Sequence, residues 1–210
     1  MLGLRERKKQ QTRLAISQVA TRMFIERGFD QVTLAEVAEA ANVSVNTVFN
    51  YFETKEELFF DRADEVAEAP SRAVRDRRVG ESAIGALHRH FMTSIAGTGS
   101  PLFSPHVGPF FAAIEASPAL KARERLIFDD MERRLVQVMT EQTGAPADDP
   151  TARSVAAMAT ALLWMLQREL RGGMMRGEPA ARMRTAVLQL AERGFALLER
   201  GAGRYATRKK

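Results

Sequence analysis

The sequence predicts an all-α protein with two domains. Apolar residues recur three and four positions apart along most of the chain, which is the spacing of an amphipathic helix. Helix-capping residues precede several of these stretches, and no stretch alternates as a strand would. The 210 residues suffice for a small N-terminal domain and a second one of about 140 residues. Because Pro70 and Ser71 are expected to end the fourth helix, we predict domains at 1–69 and 70–210.

The first two helices are predicted from an apolar stripe and a capping box. Residues 10–28 carry a stripe at helical spacing and end at Gly28, a residue favoured at helix C-termini. A second, shorter helix begins after Thr33, and Glu36 stands three residues on, so both halves of a capping box are present. Its stripe comprises Leu34, Val37, Ala38 and Ala41.

A tight turn and a third helix follow within residues 33–52. Asn42 lies in the turn, and Asn tolerates a left-handed backbone better than most residues. Ser44 is placed to cap the third helix, with Val48 and Phe52 on its inward face. The outward side carries hydroxyl, amide and aromatic groups, which suit contacts to DNA bases and phosphates. Its residues are Val45, Asn46, Thr47, Phe49, Asn50 and Tyr51.

A second capping box, Thr54 with Glu57, opens a fourth helix. Over roughly residues 10–68, this order and spacing closely resembles the N-terminal domain of TetR-type (tetracycline-repressor-like) transcriptional regulators. The sequence departs from that family at Asn42, where Gly is usual, and at Glu53, where Pro is common. The resemblance implies a three-helix helix-turn-helix DNA-binding domain and a helical domain for effector binding and dimerisation.

Individual DNA contacts follow from residue chemistry and from the resemblance. Thr47 and Asn50 are candidates for base edges, and Phe49 for a thymine methyl group. Thr33 and Ser44 are first of all helix caps, whose hydroxyls are also expected near phosphates. The resemblance implies phosphate contacts at Tyr51 and Lys55, although an exposed lysine is commonly just solvated. The predicted DNA-binding residues are Thr33, Ser44, Val45, Asn46, Thr47, Phe49, Asn50, Tyr51 and Lys55.

The distribution of charge does not by itself predict DNA binding. The chain has a formal net charge of +5, but residues 1–69 hold nine Lys or Arg and twelve Asp or Glu. Only residues 1–13, read as a basic arm, are locally positive, with five basic residues against Glu6. The DNA prediction therefore depends on the helix-turn-helix pattern.

The rest of the chain predicts further helices starting near residues 80, 118, 150 and 179. The stretch 97–109 is expected to be irregular because it holds three Pro and three Gly, and residues 204–210 to be a disordered tail. The helix from 150 ends at Gly172 and Gly173 or continues to Met175.

Residues 155–166 are apolar nearly all round, so their helix needs cover on more than one side. We expect a homodimer through the helices near 150–171 and 179–200, which would place two reading helices on a palindromic operator in double-stranded DNA.

The resemblance also implies a small-molecule effector site in the second domain. Trp164 is the strongest candidate because its ring N–H needs a partner within an apolar run. For every candidate the alternative is ordinary core packing. The predicted lining residues are Phe91, Phe103, Phe110, Phe111, Phe128, Met131, Met139, Met158 and Trp164.

Several other classes of protein are not favoured. The chain has no Cys, and the three His residues lack the spacing of a metal site, so we predict no metal, no cofactor and no catalytic residues. No signal peptide is recognised, and the longest apolar run is too short to span a bilayer, so we expect a cytoplasmic protein without a membrane partner.

We predict a transcriptional regulator, not an enzyme: a repressor released from its operator by a small, mainly apolar ligand. One alternative is a DNA-binding regulator without an effector. The other is a helical carrier or enzyme that retains a vestigial reader domain.

Overall fold

The computed structural model describes residues 3–96, 103–104 and 107–207, and within them it contains helices and no strand. The predicted all-α class is confirmed. No helix in this part of the chain is both long and apolar enough to cross a membrane. The α-helices are α1 Leu4–Arg27, α2 Leu34–Ala40, α3 Val45–Phe49, α4 Lys55–Phe59, α5 Ala63–Arg75, α6 Ala83–Ala96, α7 Val107–Ala116, α8 Pro118–Thr143, α9 Pro150–Met175 and α10 Ala180–Ala202, with a 3-10 turn at Phe29–Gln31.

The predicted caps form as the sequence indicates. Thr33 and Glu36 make a reciprocal capping box at the start of α2, and Ser44 accepts a hydrogen bond from the backbone N–H of Thr47 at the start of α3. Thr54 caps α4, and the Asp149 carboxylate accepts from a backbone N–H at the start of α9. Local polar side chains therefore fix where these helices begin.

The turn between α2 and α3 has the predicted left-handed residue. Asn42 has φ 54°, where a side chain other than Gly, Asn or Asp is strained. The backbone N–H of Val43 donates to the Ala38 carbonyl at 2.9 Å, which closes the turn. The departure from Gly at this position is thus compatible with the turn.

Two predictions about the fourth helix are wrong. The helix does not run unbroken to Pro70, because α4 stops at Phe59 and α5 begins at Ala63. Pro70 does not end a helix either, since it lies inside α5 and is buried there. Pro70 has no backbone N–H, so the carbonyl of Val66 lacks its helical donor. The Val66 side chain is exposed, so water can reach that side of the helix.

Other boundaries also move. α1 starts at Leu4, so most of the predicted basic arm is helical. The irregular stretch predicted at 97–109 lies partly outside the described residues, and His106 lies outside them as well. The end of that stretch is helical, because α7 begins at Val107. Pro109 fits there because it stands in the first turn, where a backbone N–H has no helical partner. α9 continues to Met175, and residues 203–206 form turns rather than a disordered tail, while 208–210 lie outside the described residues.

The chain divides into two compact units, residues 1–64 with 109–124 and residues 65–108 with 125–210. The predicted domains, 1–69 and 70–210, stay a prediction. The first unit has an aromatic core, in which the ring of Phe59 lies 6.1 Å from that of Phe24 and stacks on Phe110 at 4.5 Å. In the second unit, α10 packs against α6 and α9.

Candidate DNA-binding surface

The surface of α3 carries side chains that are not needed for the core. Val48 is fully buried and Phe52 is 2% exposed, so these residues attach the helix to the first unit. Phe49 is 50% exposed and Val45 37%. Four of the predicted DNA-binding side chains are exposed between Val45 and Asn50, and we call them the reading surface: Val45, Asn46, Phe49 and Asn50.

The N-terminus of α3 is held by a local hydroxyl pair. The Ser44 Oγ accepts from the Thr47 N–H at 3.0 Å and lies 2.8 Å from the Thr47 Oγ1. Ser44 is therefore a helix cap, as predicted. Thr47 is half-buried and already has a hydroxyl partner, so its base contact stays a prediction.

α3 is shorter than the predicted second helix of the pair. It ends at Phe49, and Asn50 is its C-terminal cap with φ −66° and ψ −17°. Asn50 is exposed, whereas Tyr51 is half-buried in the turn that follows. Both remain at the edge of the reading surface, and their DNA contacts stay predictions.

Arg13 is a residue whose role the sequence reasoning missed. Its guanidinium donates to the Tyr51 carbonyl at 2.7 Å and to the Asp61 carbonyl at 3.2 Å. It also lies 4.4 Å from the centre of the Phe52 ring. Arg13 thereby fixes the chain that leaves α3. The sequence contained one indication of this role, because Arg13 stands three residues before Ile16 on the apolar face of α1.

Thr33 and Glu36 are tied together with Arg27. The Thr33 hydroxyl lies 2.8 Å from the Glu36 Oε2, and Arg27 pairs with the other carboxylate oxygen. The Arg27 hydrogen bond, followed by those from Thr33, lowers the pKa of Glu36 to about 2. The Thr33 hydroxyl is thus engaged in the cap, and its predicted phosphate contact stays untested.

Lys55, at the first position of α4, has contacts within its own unit. Its Nζ donates to the Phe29 carbonyl and lies 4.4 Å from the Phe29 ring centre and 5.5 Å from that of Phe24. Burial lowers the pKa of this half-buried ammonium. The ammonium has three N–H donors, so a phosphate contact by Lys55 would either share it with the Phe29 carbonyl or draw it away.

The predicted effector-lining residues are not brought into one group. Trp164 packs edge-on against Phe128, with ring centres 4.4 Å apart, and Phe103 lies under the guanidinium of Arg184. Phe111, Met131 and Met139 are buried, and Phe91 lies 6.2 Å from the Phe195 ring. Phe110 and Phe111 belong to the first unit, whereas the other seven belong to the second.

An open cleft lies in the second unit between the start of α9, the end of α10 and the turn after it. Its volume is about 540 Å³, and Met158 is the one predicted effector residue on its wall. The Tyr205 hydroxyl, also on the wall, donates to the Asp149 carboxylate at 3.4 Å. The cleft shares little with the predicted site, so the nine effector residues stay predictions.

Comparison with known proteins identifies the same helix-turn-helix region. The sequence model of a family described as "Bacterial regulatory proteins, tetR family" matches residues 16–61, which include α2, the turn and α3. The chain is 27% identical over 172 residues to the HTH-type transcriptional regulator TcmR of Streptomyces glaucescens, and the match covers 80% of this chain and 76% of TcmR.

Solved structures show the same fold. The structure of the SmeT–triclosan complex superposes with a TM-score of 0.59 at 16% identity and covers 91% of each chain. NalD of Pseudomonas aeruginosa gives a TM-score of 0.55 at 18% identity, covering 90% of this chain and 97% of NalD. The helix-turn-helix and its exposed third helix define a DNA-binding transcriptional regulator. Over residues 16–61, this helix-turn-helix region is similar to the TetR-type regulators.

Proposed function

We propose that this regulator is a homodimeric repressor that binds a palindromic operator and is released from it by a small, mainly apolar ligand. The observation that carries the DNA-binding step is the reading surface, whose side chains are exposed on a helix anchored by Val48 and Phe52. The related TcmR is named as a transcriptional regulator, and SmeT and NalD are described as repressors of multidrug efflux pumps.

Operator recognition is tested by selecting duplexes from a random pool with the purified protein and measuring affinity by gel shift. Asn50→Ala should cost about 1–3 kcal/mol, mainly at one base position, because an amide on a base edge is lost. Gln18→Ala is the matched control, since it removes an exposed amide from α1. Equal effects of the two variants would contradict a base contact by Asn50.

The effector step is supported by the description of SmeT, which is a complex with triclosan. Triclosan is therefore a reasonable first probe. Trp164, the only Trp in the chain, lies against Phe128, so a ligand that enters beside these rings should change the Trp fluorescence. By thermodynamic linkage, a ligand that lowers operator affinity must itself bind more weakly, by the same factor, when operator is present. A fluorescence change without loss of operator binding would contradict ligand-driven release.

The dimer proposal is supported by apolar side chains left exposed on the last two helices. Met158 and Met165 lie seven residues apart on α9 and are 44% and 41% exposed, and Leu197 on α10 is 62% exposed. A second copy would bury them. Leu197→Arg should convert the dimer to a monomer in sedimentation, whereas Leu126→Arg, at an equally exposed leucine of α8, should not. A monomeric wild type with full operator affinity would refute this assembly.

Two alternatives make different predictions in the same assays. A regulator without an effector would bind its operator in the presence of every probe compound. An enzyme or carrier with a vestigial reader domain would select no sequence from the pool. We retain the cytoplasmic, non-enzymatic repressor as the proposal.

A further inference from the structure

Within residues 1–69, net positive charge is found at one place, the N-terminal turns of α1. Residues 1–69 carry three more acidic than basic side chains, yet residues 1–13 hold five basic residues and one acid. Phosphate contacts provide much of the affinity of any protein for DNA. A DNA-binding segment with this balance must obtain a good part of that contribution from its few basic side chains.

The basic residues of α1 are not evenly spread around the helix. Arg5, Lys9 and Arg13 recur at intervals of four, so they follow one another along one face. The same face continues into the core at Ile16 and Ala20, which are buried. Arg7, two positions from both Arg5 and Lys9, lies about 200° around the axis from each of them.

Arg13 connects this face to the reading surface. Its guanidinium is held by the carbonyl of Tyr51, two residues after the end of α3, so Arg13 itself is occupied. Lys9 and Arg5 follow about 6 and 12 Å further along the helix axis. Both side chains are exposed, and α1 is helical through them. We call Arg5 and Lys9 the basic stripe.

We propose that the basic stripe binds the phosphates of double-stranded DNA next to the bases that α3 reads. This inference rests on the proposed DNA binding, and it adds a second contact made by a different helix. Because α1 begins its packed face at Arg13, the stripe is supported by a regular helix rather than by a flexible arm. The stripe then adds affinity without adding sequence preference, since phosphates are the same at every step.

The test compares two double variants that remove the same charge from the same helix. Arg5→Gln with Lys9→Gln removes the stripe, and Arg7→Gln with Arg22→Gln removes two exposed charges of α1 that lie outside the stripe. Affinity is measured against salt concentration on the selected operator duplex and on a scrambled duplex. Melting followed by circular dichroism verifies that both variants fold.

Loss of the stripe should make the plot of log affinity against log salt concentration less steep by about 1.8 per bound chain on both duplexes. This is about 0.9 for each of the two phosphate contacts. Between about 50 and 200 mM salt, the stripe variant should therefore lose about twelvefold less affinity per bound chain than the wild type, or about 150-fold less for a bound dimer. The control variant should keep the wild-type slope. Equal slopes for the two variants, or no change in either, would overturn the proposal. Failure of the proposed function is a separate result, in which the wild type binds operator and scrambled DNA equally well.

Discussion

Lys55 has two roles that one substitution can separate, a contact inside the protein and a predicted contact to DNA. Lys55→Met keeps the unbranched stem against the rings of Phe24 and Phe29 and removes the ammonium. The hydrogen bond to the Phe29 carbonyl and the cation–π contact at 4.4 Å are then lost.

The expected loss of stability is small because two terms oppose each other. A hydrogen bond from a charged donor contributes about 1.5–3 kcal/mol, and a partly exposed cation–π contact about 0.5–1 kcal/mol. Burial, which lowers the pKa of Lys55, shows that removing the ammonium from water costs part of this. We therefore expect Lys55→Met to lower the free energy of unfolding by about 1 kcal/mol, or about 2–4 °C in Tm.

The DNA contact is measured independently by salt dependence. If the ammonium moves to a phosphate in the complex, Lys55→Met should lower the log–log salt slope by about 0.9 and weaken binding equally on all sequences. Lys55→Arg, which keeps the charge, is the control. A destabilised variant with unchanged affinity and slope would show that Lys55 stays on Phe29 and that the phosphate assignment is wrong. A variant as stable as the wild type would refute the stabilising role.

Two further predictions concern packing and pH. Gly194→Ala places a methyl group against the Leu162 side chain, so overpacking of about 1–3 kcal/mol should outweigh the gain in helix propensity and lower Tm. Gly201→Ala, in the same helix with open space around it, should instead raise Tm slightly, and equal shifts would contradict the packing argument. The pKa of Glu36 is lowered to about 2, so its stabilising contribution should be complete above pH 4.5 and disappear as the pH falls toward about 2. The Tm of Glu36→Gln should then approach that of the wild type in acid, whereas a constant difference would exclude this linkage.

The sequence was most informative where structure is determined locally. Asn42, Ser44 and Thr54 act on backbone groups within a few residues, so their types and spacing sufficed to predict a turn and two helix starts. Pro70 and Pro109 show the limit of such signals. Each is a helix breaker by type, but a helix accommodates proline in its first turn or where packing holds the backbone in place.

The exposed face of α3 was predictable from the sequence, but the contacts around it were not. The spacing of apolar residues separates the exposed from the buried face of α3, and this correctly left Asn46 and Asn50 outside. It cannot show that Lys55 bonds to a carbonyl 26 residues away or that Arg13 reaches Tyr51. Those partners are brought together by tertiary packing, which a sequence pattern does not encode residue by residue.

The shortness of α3 has a consequence for how such a protein can change. Five residues are too few to form a stable helix alone. The helix is held in place by the buried Val48 and Phe52 and by Arg13, which bonds to the Tyr51 carbonyl and packs on the Phe52 ring. The side chains of Asn46 and Phe49 take no part in that support. A lineage could therefore exchange them and adopt a new target sequence at almost no cost to folding, provided that the three anchors are retained.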